Sequence, residues 1–426
     1  MSSSQHAVIV SLDLNTDEIV QLAETMEYSI QKIFTQNLNA PTGKYFIGTG
    51  KTKEIQAYIQ DSQQDINLVI INGTLKPSQW FNLEQSLNTQ VYDRVHLILS
   101  IFEQRAQRKE ARLQVKLAQL QYERPYVREL IHRARAGEHP GLMAGGEYQV
   151  DDYYEMIKKQ TKTIKQELEK VRKDRKLHRK TRYQSGFYLI SLAGYTNAGK
   201  SSLLNLLAQD NVTVEGKLFS TLSTTTRRIP KKYLANTMPI LLTDTVGFIE
   251  SLPPWIIDAF HSTLEEIEVA DMVLLVVDAS EPLPRIQDKL RVSQAELTEL
   301  GVIAPVILVF NKIDLLSLEE VNTLLHTLRT DEHLKDKPYV SISVHEEKNI
   351  DTLLDIIYTH LPQKIHLQFF LPNTSRSHSF LSRLYYHTQI KSVSYDEKIH
   401  VDLFCNTNLK EKLEAEIIQL HGILLE

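Results

Sequence analysis

Apolar positions along the chain fall into distinct regimes, and each predicts a different kind of structure. From Ala7 to about Leu99, short β-branched runs alternate with helical stretches. His6–Leu12 reads as a buried strand, Thr16–Lys32 as a helix, and Leu68–Asn72 as another strand closed by Gly73. From Ile101 to Arg135, Leu113, Leu117 and Leu120 recur at helical spacing among Arg, Lys, Glu and Gln, with no proline before Pro125. A glycine-rich stretch containing Pro140, Gly141, Gly145 and Gly146 leads to a second helical segment, Asp151–Arg182. Its apolar stripe is sparse: Met156, Ile164, Leu168, Val171 and Leu177. Two long helices joined by such a loop make a helical hairpin whose polar faces are too wide for a globular core.

Beyond Ser185-Gly186 the pattern becomes strand, loop, helix, repeated to about Pro362. Phe187–Ala193, Pro239–Thr243, Met272–Asp278, Val306–Phe310 and Tyr339–Ile342 are nearly continuous apolar runs. Such strands separated by helices imply a mostly parallel sheet covered by helices on both faces. A last unit has strand-like runs at His366–Leu371 and Ile399–Phe404 and an amphipathic helix at Leu409–Leu420. The expected organisation is an N-terminal α/β domain (1–100), the helical hairpin (101–185), an α/β domain with a phosphate loop (186–364) and a small α+β domain (365–426). A chain of 426 residues is too long for one core, which agrees with this division.

Composition narrows the setting. No run of eighteen apolar residues occurs, so no membrane span is expected, and Met1–His6 does not read as a secretory signal. With Cys405 as the only cysteine, an internal disulfide and a multi-cysteine zinc site are excluded, and a cytoplasmic location is expected. The net charge of -5 hides one segment, Lys158–Arg182, with 12 basic and 3 acidic residues. A mildly acidic protein with one strongly basic helix is a candidate for nucleic-acid contact through that helix.

The candidate chemistry begins at Gly194-Tyr195-Thr196-Asn197-Ala198-Gly199-Lys200-Ser201, which fits G-x-x-x-x-G-K-[ST] between an apolar strand and a helix start. In that setting backbone N–H groups wrap phosphates, Lys200 reaches the β- and γ-phosphates, and the Ser201 hydroxyl binds Mg²⁺. The nucleobase is specified by Asn311-Lys312-Ile313-Asp314, directly after a buried strand. A carboxylate at Asp314 accepts from guanine N1–H and N2–H₂, whereas adenine presents it with an acceptor. Ser343-Val344-His345 follows the next strand as a further base contact, with Val344 where related GTPases place alanine. Asp244-Thr245-Val246-Gly247 supplies a water-mediated Mg²⁺ carboxylate and a γ-phosphate-sensing N–H. Phe219-Ser220-Thr221-Leu222-Ser223 reads as the first switch, with Thr221 as second Mg²⁺ hydroxyl and Thr224, Thr225 and Thr226 as rivals. Lys200, Thr221 and Gly247 are the expected catalytic groups. The position that carries a water-orienting glutamine in Ras-like enzymes is Phe248, so unassisted hydrolysis is expected to be slow. Asn197 occupies the place of a K⁺-coordinating asparagine in potassium-activated GTPases. Gly48-Thr49-Gly50-Lys51-Thr52 imitates a phosphate loop but has Tyr45 where the earlier glycine is required, and reads as a turn before a helix.

With these motifs in place, the chain resembles the HflX-type GTPases, a ribosome-associated branch of the phosphate-loop class. The likeness extends to Tyr45–Lys51, Asp93–Ala106, Leu113–Tyr122 and Thr243–Ile249 with Leu252-Pro253, and covers roughly Tyr45 to Leu361. It departs in the glycine-rich loop, where Gly141–Glu147 lacks the family's arginine. The resemblance implies GTP-dependent binding to the large ribosomal subunit and rRNA, splitting or rescue of stalled ribosomes, and a monomer off the ribosome. The competing reading is a signalling or scaffold GTPase with a protein partner and no RNA. ATP binding by the N-terminal domain is a third.

Overall fold

The computed structural model describes residues 5–38, 40–135, 146–183, 186–209, 225–230, 239–245, 247–248, 265–330, 337–362 and 364–425. They form two compact units, one up to Val171 and one from Arg172 onward.

The first unit opens with β1 (Gln5–Ser11), a helix α1 (Asp17–Thr25) and β2 (Tyr28–Thr35), followed by α2 (Thr49–Asp61), β3 (Ile66–Asn72), α3 (Pro77–Leu87) and β4 (Gln90–Asp93). These strands make a parallel sheet in the order β2-β1-β3-β4. The helix expected over Thr16–Lys32 is therefore corrected: it stops at Thr25, Glu27 turns the chain with φ 64°, and Tyr28–Thr35 enters the sheet as its edge. Tyr28, Ile30, Ile33, Phe34 and Thr35 are aromatic or β-branched, and pairing with β1 outweighs any helical continuation.

The helical segment expected from Ile101 is divided between the end of one helix and a second one. Helix α4 spans Arg94–Arg105, capped by the Asp93 carboxylate accepting from the His96 N–H at 2.8 Å, and α5 spans Lys109–Arg135. Helix α6 then runs Gly146–Tyr183. Leu117, Leu120, Val127 and Leu130 of α5 pack with Ile157 and Ile164 of α6 and Phe81 of α3. Met156, assigned to this stripe from sequence, is 40% exposed, whereas Ile157 is fully buried. At 3.6 residues per turn Ile157 lies about 20° from Ile164 around the helix and Met156 about 80° away. The glycine-rich loop expected between the two helices falls at 136–145, outside the described residues.

The second unit is built on a six-stranded sheet. Its elements are β5 (Tyr188–Ala193), α7 (Lys200–Ala208), β6 (Thr225–Arg228), β7 (Ile240–Asp244), β8 (Met272–Asp278), α8 (Leu283–Glu299), β9 (Val306–Asn311), α9 (Leu318–Thr330), β10 (Tyr339–Ser341) and α10 (Ile350–His360). The order is β10-β9-β8-β5-β7-β6, parallel except for β6 against β7. Strand β6, Thr-Thr-Arg-Arg, has no apolar signal and was not expected; it is an edge held by backbone pairing.

The same unit ends in a four-stranded antiparallel sheet. It comprises β11 (Lys364–Pro372), α11 (Ser375–His387), β12 (Gln389–Tyr395), β13 (Lys398–Asn406), α12 (Thr407–Gln419) and β14 (Ile423–Leu425), with strand order β12-β13-β11-β14. Leu367, Phe369 and Leu371 alternate onto one face of β11 and pack with Leu381, Leu384, Leu413 and Ile417 of the helices. Helix α11 and strands β12 and β14 are additions to the expected elements. The Tyr188 hydroxyl donates to the Pro362 carbonyl at 3.1 Å, and Arg228 donates to the Tyr386 carbonyl at the end of α11 at 3.2 Å.

Candidate nucleotide site

The site lies at the C-terminal ends of parallel strands β5, β7, β8 and β9, where open α/β sheets leave a crevice. After β5 the chain must pass close to β8. A Cβ at Gly194, whose φ is 133°, would lie 2.1 Å from the Val276 carbonyl oxygen. At Gly199, with φ 95°, a Cβ would meet the Asn311 amide at 2.2 Å. The two glycines of the motif are thus fixed by close approach as well as by backbone conformation. Asn197 is also left-handed, at φ 64°.

Lys200 begins α7 and folds back into the loop. Its Nζ is buried and donates to the carbonyls of Gly194 at 2.9 Å and Tyr195 at 2.6 Å. Burial pushes its pKa down to about 8, a shift that the Asp244 carboxylate opposes. The next residue, Ser201, donates its hydroxyl to Asp244 Oδ2 at 2.6 Å. A hydroxyl and a carboxylate converging beside a phosphate loop is the hard-oxygen donor set that suits Mg²⁺, which completes its shell with water and phosphate oxygens. Ser201 and Asp244 fit that ion. Among the described residues no cluster of three or more His, Cys, Asp or Glu forms an all-protein cage.

The loop is also tied to the segment after β7. Thr245 is buried and donates its hydroxyl to the Leu192 carbonyl at 2.7 Å. A Cβ on Gly247 would stand 2.8 Å from both Lys200 Nζ and the Thr196 nitrogen. Phe248 donates its N–H to the Gly194 carbonyl at 3.0 Å and accepts from the Thr196 N–H at 2.9 Å. Its ring is 7% exposed and meets Tyr195 edge-on at 6.4 Å. Beyond being the position of an absent glutamine within the Thr243–Ile249 run, Phe248 is a latch made mostly by backbone, for which side-chain identity gives little signal.

On the far side, Asn311 ends β9. Its amide donates to the Ala198 carbonyl at 3.0 Å and accepts from the Val344 N–H at 3.1 Å, joining phosphate loop and base loop. Ser343 donates to Asp314 Oδ1 at 2.6 Å, and Ile313 is buried. Gly194, Tyr195, Ala198, Gly199, Lys200, Ser201, Asp244, Thr245, Gly247, Asn311, Asp314, Ser343 and Val344 thus belong to one connected cluster. Lys312 extends from it, while His345 is exposed. Phe219, Ser220, Thr221, Leu222, Ser223 and Val246 lie outside the described residues. Of the rivals to Thr221, Thr225 and Thr226 pair in β6 with Asp244 and Thr243 of β7. The imitation motif at Gly48 starts α2, with the Thr52 N–H bonded to the Gly48 carbonyl at 3.0 Å.

Comparison with known proteins agrees with this geometry. Residues 13–103 match the family model described as GTP-binding GTPase N-terminal, 105–182 the GTP-binding GTPase middle region, and 189–312 the 50S ribosome-binding GTPase. The GTPase HflX of Thermococcus kodakarensis is 40% identical over 96% of this chain and 93% of its own length. That of Methanocaldococcus jannaschii is 38% identical over 95% of each. Among solved structures, the complex of SsGBP with GDP aligns with TM-score 0.50 and 28% identity, covering 83% of this chain and 98% of that one. Among the described residues no helix is long and apolar enough to cross a membrane. A phosphate loop joined through Asn311 to a Ser343-braced carboxylate, on a chain that aligns along nearly its whole length with these relatives, makes this protein a GTPase of the HflX family.

Proposed function

We propose that this GTPase holds guanine at Asp314 and Asn311, with Ser343 and Val344 bracing them, and cradles the phosphates with Gly194–Ser201. Ser201 and, from the first switch, Thr221 supply hydroxyls to Mg²⁺, and Gly247 senses the γ-phosphate through its N–H. Bound there, Mg²⁺ neutralises charge developing between the β- and γ-phosphates. The observation that carries this reading is the Asn311 amide, which links the loop that wraps phosphate to the loop that meets the base. Asn197 is the proposed K⁺ ligand, and equal hydrolysis rates in potassium and sodium buffers would exclude it.

The depressed pKa of Lys200 makes nucleotide binding proton-linked. Without nucleotide the buried amine loses its proton near pH 8, below its ordinary value of 10.5. Phosphate beside it favours the charged form, so binding takes up a proton wherever the free site is deprotonated. We expect GDP binding to take up roughly 0.1 proton at pH 7 and more than half a proton at about pH 8.5, with affinity falling over that interval. Calorimetry in buffers of different ionisation enthalpy reads the uptake directly, and zero uptake at both values refutes the linkage.

The partner we infer is the large ribosomal subunit, through rRNA phosphates, with splitting or rescue of stalled ribosomes as the outcome. Support comes from helix α6, where Lys159, Lys162, Lys165, Lys170 and Lys173 are exposed, and from the description of the matched GTPase domain. Phe248 cannot polarise water, so a partner that completes the site should raise the hydrolysis rate at least ~10-fold. Purified 50S subunits with a non-hydrolysable GTP analogue should carry the protein into their gradient fractions, less so as salt rises. Protein remaining at the top of the gradient would favour the signalling or scaffold reading.

A further inference from the structure

We propose that Asp278, acting through Lys312, is a positioning residue for the guanine base. The inference rests on reading Asn311–Asp314 as the base-binding turn. Strands β8 and β9 end side by side, with Asp278 paired to Asn311 and the Ala279 N–H bonded to the Asn311 carbonyl at 2.8 Å. Lys312, the next residue, has φ 68°, a left-handed conformation that non-glycine residues adopt only when their surroundings hold them there. Its side chain reaches back to β8, where Nζ meets Asp278 Oδ2 at 2.6 Å. The other carboxylate oxygen accepts from the Ser280 N–H at 3.0 Å and from its hydroxyl at 2.6 Å.

This is not an ordinary surface ion pair. The two side chains are only 26% and 12% exposed, and the carboxylate is oriented by two donors before it meets the amine. A lysine has among the largest rotamer freedoms of any side chain, and ordering it on binding would weaken affinity. Asp278 orders it in advance. The four-carbon stem is then presented as a fixed apolar wall beside the turn that carries Asp314, and the base packs on it without an ordering cost. Ser280 sets the carboxylate, the carboxylate sets the amine, and the stem follows.

The test is a double-mutant cycle on GDP release. Asp278→Asn keeps the shape and the Ser280 bonds but turns an amide toward the amine. Release of a fluorescent GDP derivative should quicken ~5- to 10-fold in Asp278→Asn, with association little changed, because a half-buried charge pair is broken at a preorganised site. Lys312→Met should release GDP faster as well, and the double variant should be no faster than Lys312→Met alone, since Asp278 acts only through that lysine. Wild-type release from Asp278→Asn, or additive effects in the double variant, would overturn the proposal. A purely structural role predicts the additive result, with thermal midpoints lowered in both backgrounds. Failure of the wild-type protein to bind GDP would instead overturn the underlying reading of the base site.

Discussion

Asp314→Asn should lower GDP and GTP affinity by ~10³-fold and create affinity for xanthosine nucleotides, because the change inverts one hydrogen-bonding group at a site built to accept two donors. The structure makes this substitution unusually clean. Asp314 Oδ1 already accepts from Ser343, and an asparagine carbonyl can keep that bond. The new amide NH₂ then faces guanine's own N–H donors, which leaves both sides unpaired in the bound state. Xanthine replaces the exocyclic amine with a carbonyl oxygen, an acceptor for that NH₂. The fold should be unaffected, since the Asn311 bonds to Ala198 and Val344 do not involve Asp314. Calorimetry with GDP, XDP and ADP on both proteins measures the switch. Unchanged GDP affinity in the variant would remove the base from Asp314 altogether.

Much of the candidate site is legible in the sequence, for a physical reason. Phosphate binding demands particular residues at fixed spacing: Gly194 and Gly199 because nothing larger fits, Lys200 and Ser201 because they begin the helix behind the loop. Strands β5, β7, β8 and β9 were equally visible, since burial on both faces leaves an unbroken apolar run. What stayed hidden is held by backbone or by long-range pairing. The first part of strand β2, up to Lys32, is read as helix because Ile19, Leu22, Met26 and Ile30 recur at helical spacing, and only the neighbouring β1 decides between the two. Strand β6 is Thr-Thr-Arg-Arg, polar on both faces, and exists because β7 offers it a hydrogen-bonding edge. The role of Phe248 rests on its own N–H and carbonyl, which every residue but proline possesses. The Asp278–Lys312 pair joins residues 34 apart in sequence, and charge alone gives no sign of which acid a lysine will meet. Helix α11 and strand β12 carry polar, largely exposed faces and need the α12 side of the sheet to bury the rest.

Lys200→Met should reduce GTP turnover by ~10²- to 10³-fold, the loss expected when one preorganised donor to developing charge is removed. It should do so without unfolding the protein, and the two effects have different origins. In the free protein the amine sits in a buried site that costs its charged form: a pKa near 8 rather than 10.5 is a penalty on the order of 3 kcal/mol at neutral pH. Because the folded pKa is depressed, stability rises between about pH 8 and 10.5 as the unfolded chain retains the proton that the folded one has released. Methionine fills the same volume, removes that penalty and gives up the bonds to the Gly194 and Tyr195 carbonyls. Those carbonyls keep partners, since Gly194 also accepts from Phe248 and Tyr195 from the Ala198 N–H. Gain and loss are of similar size, and the net change in stability should stay within about 1 kcal/mol. The same variant should lose the pH-dependent part of its stability above pH 8. A large fall in unfolding midpoint accompanying the loss of turnover would show that Lys200 holds the loop together, whereas intact turnover would show that the phosphates are neutralised elsewhere. On the proposed reading the depressed pKa and the expected loss of turnover have one origin, an amine kept dry and held by the Gly194 and Tyr195 carbonyls.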